Sequence, residues 1–230
     1  MKKISFLFLV LVTSFAFSQK NQFDAQNKRH GLWSKNYLHT DQIRYQGEFN
    51  HGKEIGTFKF YKLKGGKSVL SATKEFSLDS DIINVTFFTS SGKIISKGKM
   101  KAKAFIGKWV YYHNKSETIM TLENYNDKGE LHGEKITYYK NAQIAEKKNY
   151  VNGKKEGLSL WYSQEGVVLK ELNYKNDMFN GLSKYYDANG KLIAEGYYRN
   201  DKKHGIWMYT ENGKTKKKDH TVKSKNPKRQ

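Results

Sequence analysis

From residue 31 onward, hydrophobic and aromatic residues fall in short runs broken by turn formers, and nowhere do they recur at helical spacing over a dozen positions. That pattern predicts strands and no helix. A glycine opens each run in the most regular stretch: Gly133, Gly157, Gly181 and Gly205 are 24 residues apart. Upstream, Gly31, Gly56 and Gly107 are separated by 25 and 51, and the double interval hides a diverged unit. Phe87-Phe88, Ser91-Gly92 and Gly98 repeat the spacing of Tyr185-Tyr186, Asn189-Gly190 and Gly196, so Ile83 stands where the glycine is missing. Eight units result, starting near residues 31, 56, 83, 107, 133, 157, 181 and 205.

Each unit carries two hydrophobic segments. Five residues after the repeat position stand Tyr61, Phe88, Tyr112, Tyr138, Tyr162 and Tyr186; seven before the next stand Phe49, Met100, Tyr150, Tyr174 and Tyr198. Gly65-Gly66, Ser91-Gly92, Glu165-Gly166, Asn189-Gly190 and Asn212-Gly213 lie between the segments, and such pairs suit the positive φ angles of tight hairpin turns. Asn152-Gly153, Asn176-Asp177 and Asn200-Asp201 return the chain to the next unit. The expectation is an all-β chain of consecutive hairpins in one elongated antiparallel sheet, with the Tyr column forming a cross-strand ladder.

Charge and the chain ends add boundaries. Lys2-Lys3, the apolar run Ile4 to Phe17 and Ala16-Phe17-Ser18 read as a signal peptide over residues 1–18, followed by a lead-in over 19–30. The 14-residue run is shorter than the ~20 residues of a membrane-spanning helix. Without Lys2 and Lys3 the chain keeps 40 basic against 22 acidic side chains, a net +18. Having no Cys, it forms no disulfide and is no lipoprotein. The expected location is the periplasm, the outer surface or the medium. Residues 214–230 read as a disordered basic tail whose Lys214, Lys216, Lys217, Lys218, Lys223, Lys225, Lys228 and Arg229 are candidate contacts for an anionic surface.

"NYVNGKKEGLSLWY", "NYKNDMFNGLSKYY" and "GYYRNDKKHGIWMY" resemble the MORN repeat in its variant form, as found in bacterial proteins of the YwqK-type antitoxin family. The resemblance spans residues 31 to 213, with Gly31, Gly56, Gly107, Gly133, Gly157, Gly181 and Gly205 as structural repeat glycines. It implies a twisted sheet with a concave face. Departures are Ile83 for glycine, Lys35 for an aromatic, and Asn-Asp for Asn-Gly in two units.

No residue pattern specifies chemistry. His30, His132 and His204 each precede a repeat glycine, one per turn and tens of residues apart, with no paired Cys or HExxH to make a zinc site. Ser159 and Ser183 lack the second glycine of a nucleophile elbow. Glu48, Glu171 and Glu195 fit cross-strand pairing with Lys better than glycoside chemistry. No phosphate-binding loop is present. The reading is therefore a non-enzyme without cofactor or metal: a scaffold for a protein partner in the bacterial envelope.

Two alternatives are peripheral binding of anionic lipid or envelope polysaccharide, and antitoxin-like neutralisation of a partner toxin. Base stacking on the aromatics is disfavoured by export, so nucleic acid is not the expected partner. The candidate interaction face holds Trp109, Tyr111, Trp161, Tyr185, Trp207 and Tyr209, at two and four residues after their glycines and so on one side of the strand. Leu158, Leu160, Tyr162, Leu182 and Tyr186 occupy the other.

Overall fold

The structure, a computed structural model, describes residues 20–221. The leader, Lys223, Lys225, Lys228 and Arg229 lie outside the described residues. Eight hairpins follow one another, each strand antiparallel to the next. Hairpins 1 to 4 are Arg29–Asn36 with Ile43–Asn50, Lys53–Lys64 with Lys67–Ser77, Ser80–Phe88 with Ile94–Lys101, and Ala104–Tyr112 with Ile119–Tyr125. Hairpins 5 and 6 are Gly133–Tyr138 with Ile144–Val151, and the interrupted strand Lys154–Lys155 and Gly157–Tyr162 with Val168–Lys175. Hairpins 7 and 8 are Met178–Tyr186 with Leu192–Arg199, and Lys202–Glu211 with Lys214–Asp219. A two-residue strand, Gln22–Phe23, starts the sheet against Arg29 and His30, and the Trp33 indole N–H holds it by donating to the Gln22 carbonyl at 3.0 Å. No helix occurs among the described residues.

The last strand corrects the expected disordered tail. Lys214 to Asp219 pair residue for residue with Glu211 to Ile206. Composition misleads here because an array ends on a return strand whatever its side chains. Lysine suits that edge: its charge blocks further pairing with like copies, and its stem lies along apolar surface. Lys216 lies opposite Tyr209 and Lys218 opposite Trp207.

Turn chemistry differs along the two edges of the sheet. Between hairpins, Asn152-Gly153, Asn176-Asp177 and Asn200-Asp201 are two-residue turns with both φ angles positive. Within hairpins, Gly65-Gly66 and Asn212-Gly213 are the same, but at Ser91-Gly92, Glu165-Gly166 and Asn189-Gly190 only the glycine has positive φ. Those three close longer turns in which Thr89, Ser163 or Asp187 accepts backbone N–H bonds from residues two and four ahead or four ahead alone, as Asp187 does from Asn189 and Lys191 at 2.9 Å. Asp replaces Gly for a physical reason in two of the short turns: the carboxylates of Asp177 and Asp201 accept the N–H of Lys155 and Phe179 in the preceding repeat, at 2.9 and 2.7 Å.

Where one hairpin meets the next, the register slips at a bulge, for example between Leu172 and Tyr174 and between Glu195 and Tyr197. The repeat glycine supplies the left-handed backbone there; Gly181 has φ of 116°, and a Cβ on it would come 3.1 Å from the Asn173 side chain. That asparagine stitches the bulge by donating to the Leu182 carbonyl at 2.7 Å, as Asn124 does to Glu134 at 2.7 Å. Ile83 instead takes an ordinary strand position opposite Met100, where both are buried. Recurrent bulges bend and twist a sheet toward one side.

Nearly all buried apolar side chains share one side of the sheet, its inner face. Phe58, Ala72, Val85, Trp109, Leu172 and Trp207 lie in the columns two and four residues after the repeat position and in their return-strand partners, and Phe49 and Tyr174 lie opposite the repeat glycines Gly31 and Gly157. No second layer covers them among the described residues, so neighbours within the same sheet bury them. The exposed large hydrophobics, such as Leu32, Leu158, Tyr197 and Ile206, lie outside these columns.

Candidate interaction face

The inner face is organised by one pair of residues at each junction between hairpins. These pairs are Gly47 with Phe58, Lys74 with Val85, Gly98 with Trp109, Glu123 with Lys135, Lys148 with Ser159, Leu172 with Ser183, and Gly196 with Trp207. Each pair keeps its combined bulk: a ring needs glycine opposite, and a serine allows a long partner. A Cβ on Gly47, Gly98 or Gly196 would sit 2.4 Å from the facing ring. The Trp109 and Trp207 indoles lie over those glycines and donate to the Lys99 and Tyr197 carbonyls at 2.9 and 3.0 Å. Sequence reasoning used Gly98 and Gly196 only for alignment and missed Gly47. The signal was present as an interval of eleven residues from each to its ring.

Polar groups occupy the middle of this face, where the ring column is interrupted. Lys135 Nζ lies 2.6 Å from Glu123, and Tyr125 donates to the other carboxylate oxygen at 2.6 Å. Burial alone would raise the Glu123 carboxyl, but the bonds from Lys135 and Tyr125 more than reverse this and leave it below the usual range. Lys148 pairs with Glu146 at 2.7 Å and stands over the Trp161 ring at 5.4 Å. Farther along, Lys155 stands over Tyr174 and Lys203 over Trp207 and Tyr209.

Burial pushes the Tyr174 phenol up to about 12, and burial with the bond to Glu171 takes Tyr186, on the outer face, to about 12; Tyr111, Tyr125, Tyr150 and Tyr185 shift upward too. In the unfolded chain these phenols ionise near ~10. Above that pH the unfolded state therefore releases protons that the folded state retains, and stability falls. We expect the urea midpoint to hold below pH 10 and to drop between about 10 and 12, with tyrosinate absorbance rising in step with unfolding. Tyrosinate appearing well ahead of unfolding would contradict this.

The six candidate contact residues do share one face, but two of them are inaccessible. Trp109 and Trp207 are 0% and 1% exposed, so they serve packing and not contact, whereas Tyr111, Trp161, Tyr185 and Tyr209 are half-buried. The expected ring ladder five residues after the repeat position also does not form. Tyr61, Phe88, Tyr112, Tyr138, Tyr162 and Tyr186 lie opposite Leu70, Ile94, Ile119, Ile144, Val168 and Leu192, an aromatic-aliphatic ladder on the outer face. Ring-to-ring packing lies mainly on the inner face, as in Tyr198 with Trp207 at 5.0 Å. Of the candidate cationic contacts, Lys214, Lys216, Lys217 and Lys218 are exposed on the final strand.

The remaining polar candidates have structural roles. His30 and His132 accept the N–H of His51 and Asn152 in the following turn, both at 3.4 Å, and Glu156 does the same for Asn176 at 2.9 Å. Replacing His132 with leucine is expected to cost about 1 kcal/mol, and His132→Glu to keep most of it; equal losses in thermal melts would refute the capping role. Ser159 and Ser183 are enclosed at the junctions, with hydroxyls that have no hydrogen-bond partner among the described residues. Glu171 and Glu195 lie opposite Lys184 from either side, and Glu48 opposite Leu32 and Ile55. Among the described residues no group of His, Cys, Asp or Glu is placed to hold a metal ion.

Comparison with curated proteins finds no match. The family model for the MORN repeat variant matches residues 131–152, 155–176 and 179–200. Each matched stretch starts two residues before a repeat glycine and ends in the first residue of a short turn, so each covers one hairpin. The matched hairpins 5, 6 and 7 hold Lys135, Ser159 and Ser183 in the junction column, where hairpins 2, 4 and 8 hold a ring and hairpin 3 holds Val85. Repeats of this family generally act as scaffolds that bind proteins or membranes, and three consecutive hairpins of this chain match its model.

Proposed function

We propose that the chain is a non-catalytic scaffold, exported to the bacterial cell envelope, that holds a protein partner on the outer face of hairpins 6 to 8. The observation that carries this reading is the exposure of Leu158, Tyr197 and Ile206, at 42%, 56% and 59%, in one row across that face. Leu182, opposite Tyr197, continues the row. Apolar side chains grouped on a rigid surface favour protein contact, and the inner rings are already occupied with one another. Residues 1–18 support export by their leader pattern.

The test is capture of partners from envelope fractions by the chain and two variants. L158S/Y197S/I206S should lose the partner, and W161S/Y185S should keep it. The opposite result would move the contact to the inner face.

A second reading, attachment to anionic lipid or polysaccharide, draws on the net charge and on the few lysines engaged: Lys101, Lys135, Lys147 and Lys148 form the ion pairs of Lys with carboxylates among the described residues. Binding of anionic vesicles that weakens steeply with salt would support it; no binding at low salt would exclude it.

A further inference from the structure

The sheet ends on Lys214–Asp219, which pairs on one side with Lys202–Glu211 and with no strand on the other among the described residues. All six of its residues are exposed. Its lysines project to both faces: Lys216 and Lys218, opposite Tyr209 and Trp207, point inward, and Lys217, opposite Met208, points outward.

Inside the array, some lysines on either face are met by a carboxylate from the neighbouring strand. Lys135 reaches Glu123 on the inner face at 2.6 Å, and Lys147 reaches Glu134 on the outer face at 3.2 Å. Among the described residues no further strand supplies such carboxylates to Lys216, Lys217 or Lys218. The rest of the chain, 222–230, contains no acidic residue and repeats the positive charge. A flat anionic surface would engage the lysines of one face at a time. An extended chain lying along the edge engages both, because its own side chains alternate.

We infer that this edge takes an extended acidic segment of a partner protein as a further strand, its main chain bonded along Lys214 to Lys218 and a run of carboxylates placed beside Lys216, Lys217 and Lys218. This rests on the scaffold reading, to which it adds the chemistry of the partner.

The probe is a short synthetic peptide with a run of glutamates flanked by valine and threonine, added to the chain in a hydrogen-exchange measurement. The peptide should protect the amides of residues 214–219. Methylating alternate peptide backbone nitrogens should weaken binding about tenfold or more, since the ladder bonds are lost. K216E/K218E should weaken it about tenfold and turn the preference toward a lysine-run peptide, and K97E/K99E should change nothing. Equal binding of the methylated peptide, or protection by a polyanion or anionic vesicles to the same degree, overturns the inference and leaves charge alone as the attraction. Partner capture that still depends on Leu158, Tyr197 and Ile206 would then leave the scaffold reading standing; loss of that dependence with peptide binding intact would do the reverse.

Discussion

Gly196→Leu on its own should destabilise the chain by about 3 kcal/mol or more, and adding Trp207→Ser should recover most of that loss. A Cβ at residue 196 would sit 2.4 Å from the Trp207 ring, which is 1% exposed and held by its bond to the Tyr197 carbonyl at 3.0 Å. Tyr185, Tyr198 and Tyr209 pack around the same ring, so it has nowhere to move. Trp207→Ser alone leaves a cavity and should cost about 3–5 kcal/mol.

The double variant recreates an arrangement the chain already uses one repeat earlier, where Leu172 faces Ser183 in the same register and both are buried. The two losses should therefore be strongly non-additive, the double variant costing far less than the sum of the two single losses in a double-mutant cycle followed by urea denaturation. Additive losses would mean that the junction pair is not the unit of packing.

The same logic makes two deletions of equal length differ. Removing residues 157–180 brings Lys148 against Ser183, which is chemically the pair it already forms with Ser159. Glu156 then precedes Gly181 and meets Asn200 where it met Asn176, and Asp201 can cap Lys155 as Asp177 did. Removing residues 181–204 instead drives Leu172 against Trp207, a large side chain against a ring that elsewhere faces glycine. Each deletion loses one repeat and its neighbour contacts. Only the second adds overpacking, and its melting transition should be lower by about 5 °C or more than that of the first. Equal transitions, or a more stable second deletion, would show that neighbouring hairpins tolerate any partner.

Much of this architecture is legible along the chain. A period of 24, turn pairs at fixed offsets and two hydrophobic segments per unit lead to eight hairpins, because turn chemistry and strand alternation are local. His132 as a turn residue follows the same way, from its place before a repeat glycine. Its specific bond, the Nδ1 accepting the Asn152 N–H, does not, since the turn it caps belongs to the next unit.

The Lys-rich end shows the limit from the other side. Its composition describes a solvated tail, but pairing is decided by the backbone of hairpin 8, which closes on an Asn-Gly turn. Likewise, alternation puts Trp109 and Tyr111 on one face without telling which of them solvent reaches.

Period, hairpin count and turn positions are thus properties of the chain read locally, since each depends on a few adjacent residues. Tertiary structure decided which face packs, why Gly98 and Gly196 have no side chain, and which apolar residues stay in solvent. Those outcomes depend on residues brought together from adjacent hairpins, where Trp109 and Gly98 must share one volume.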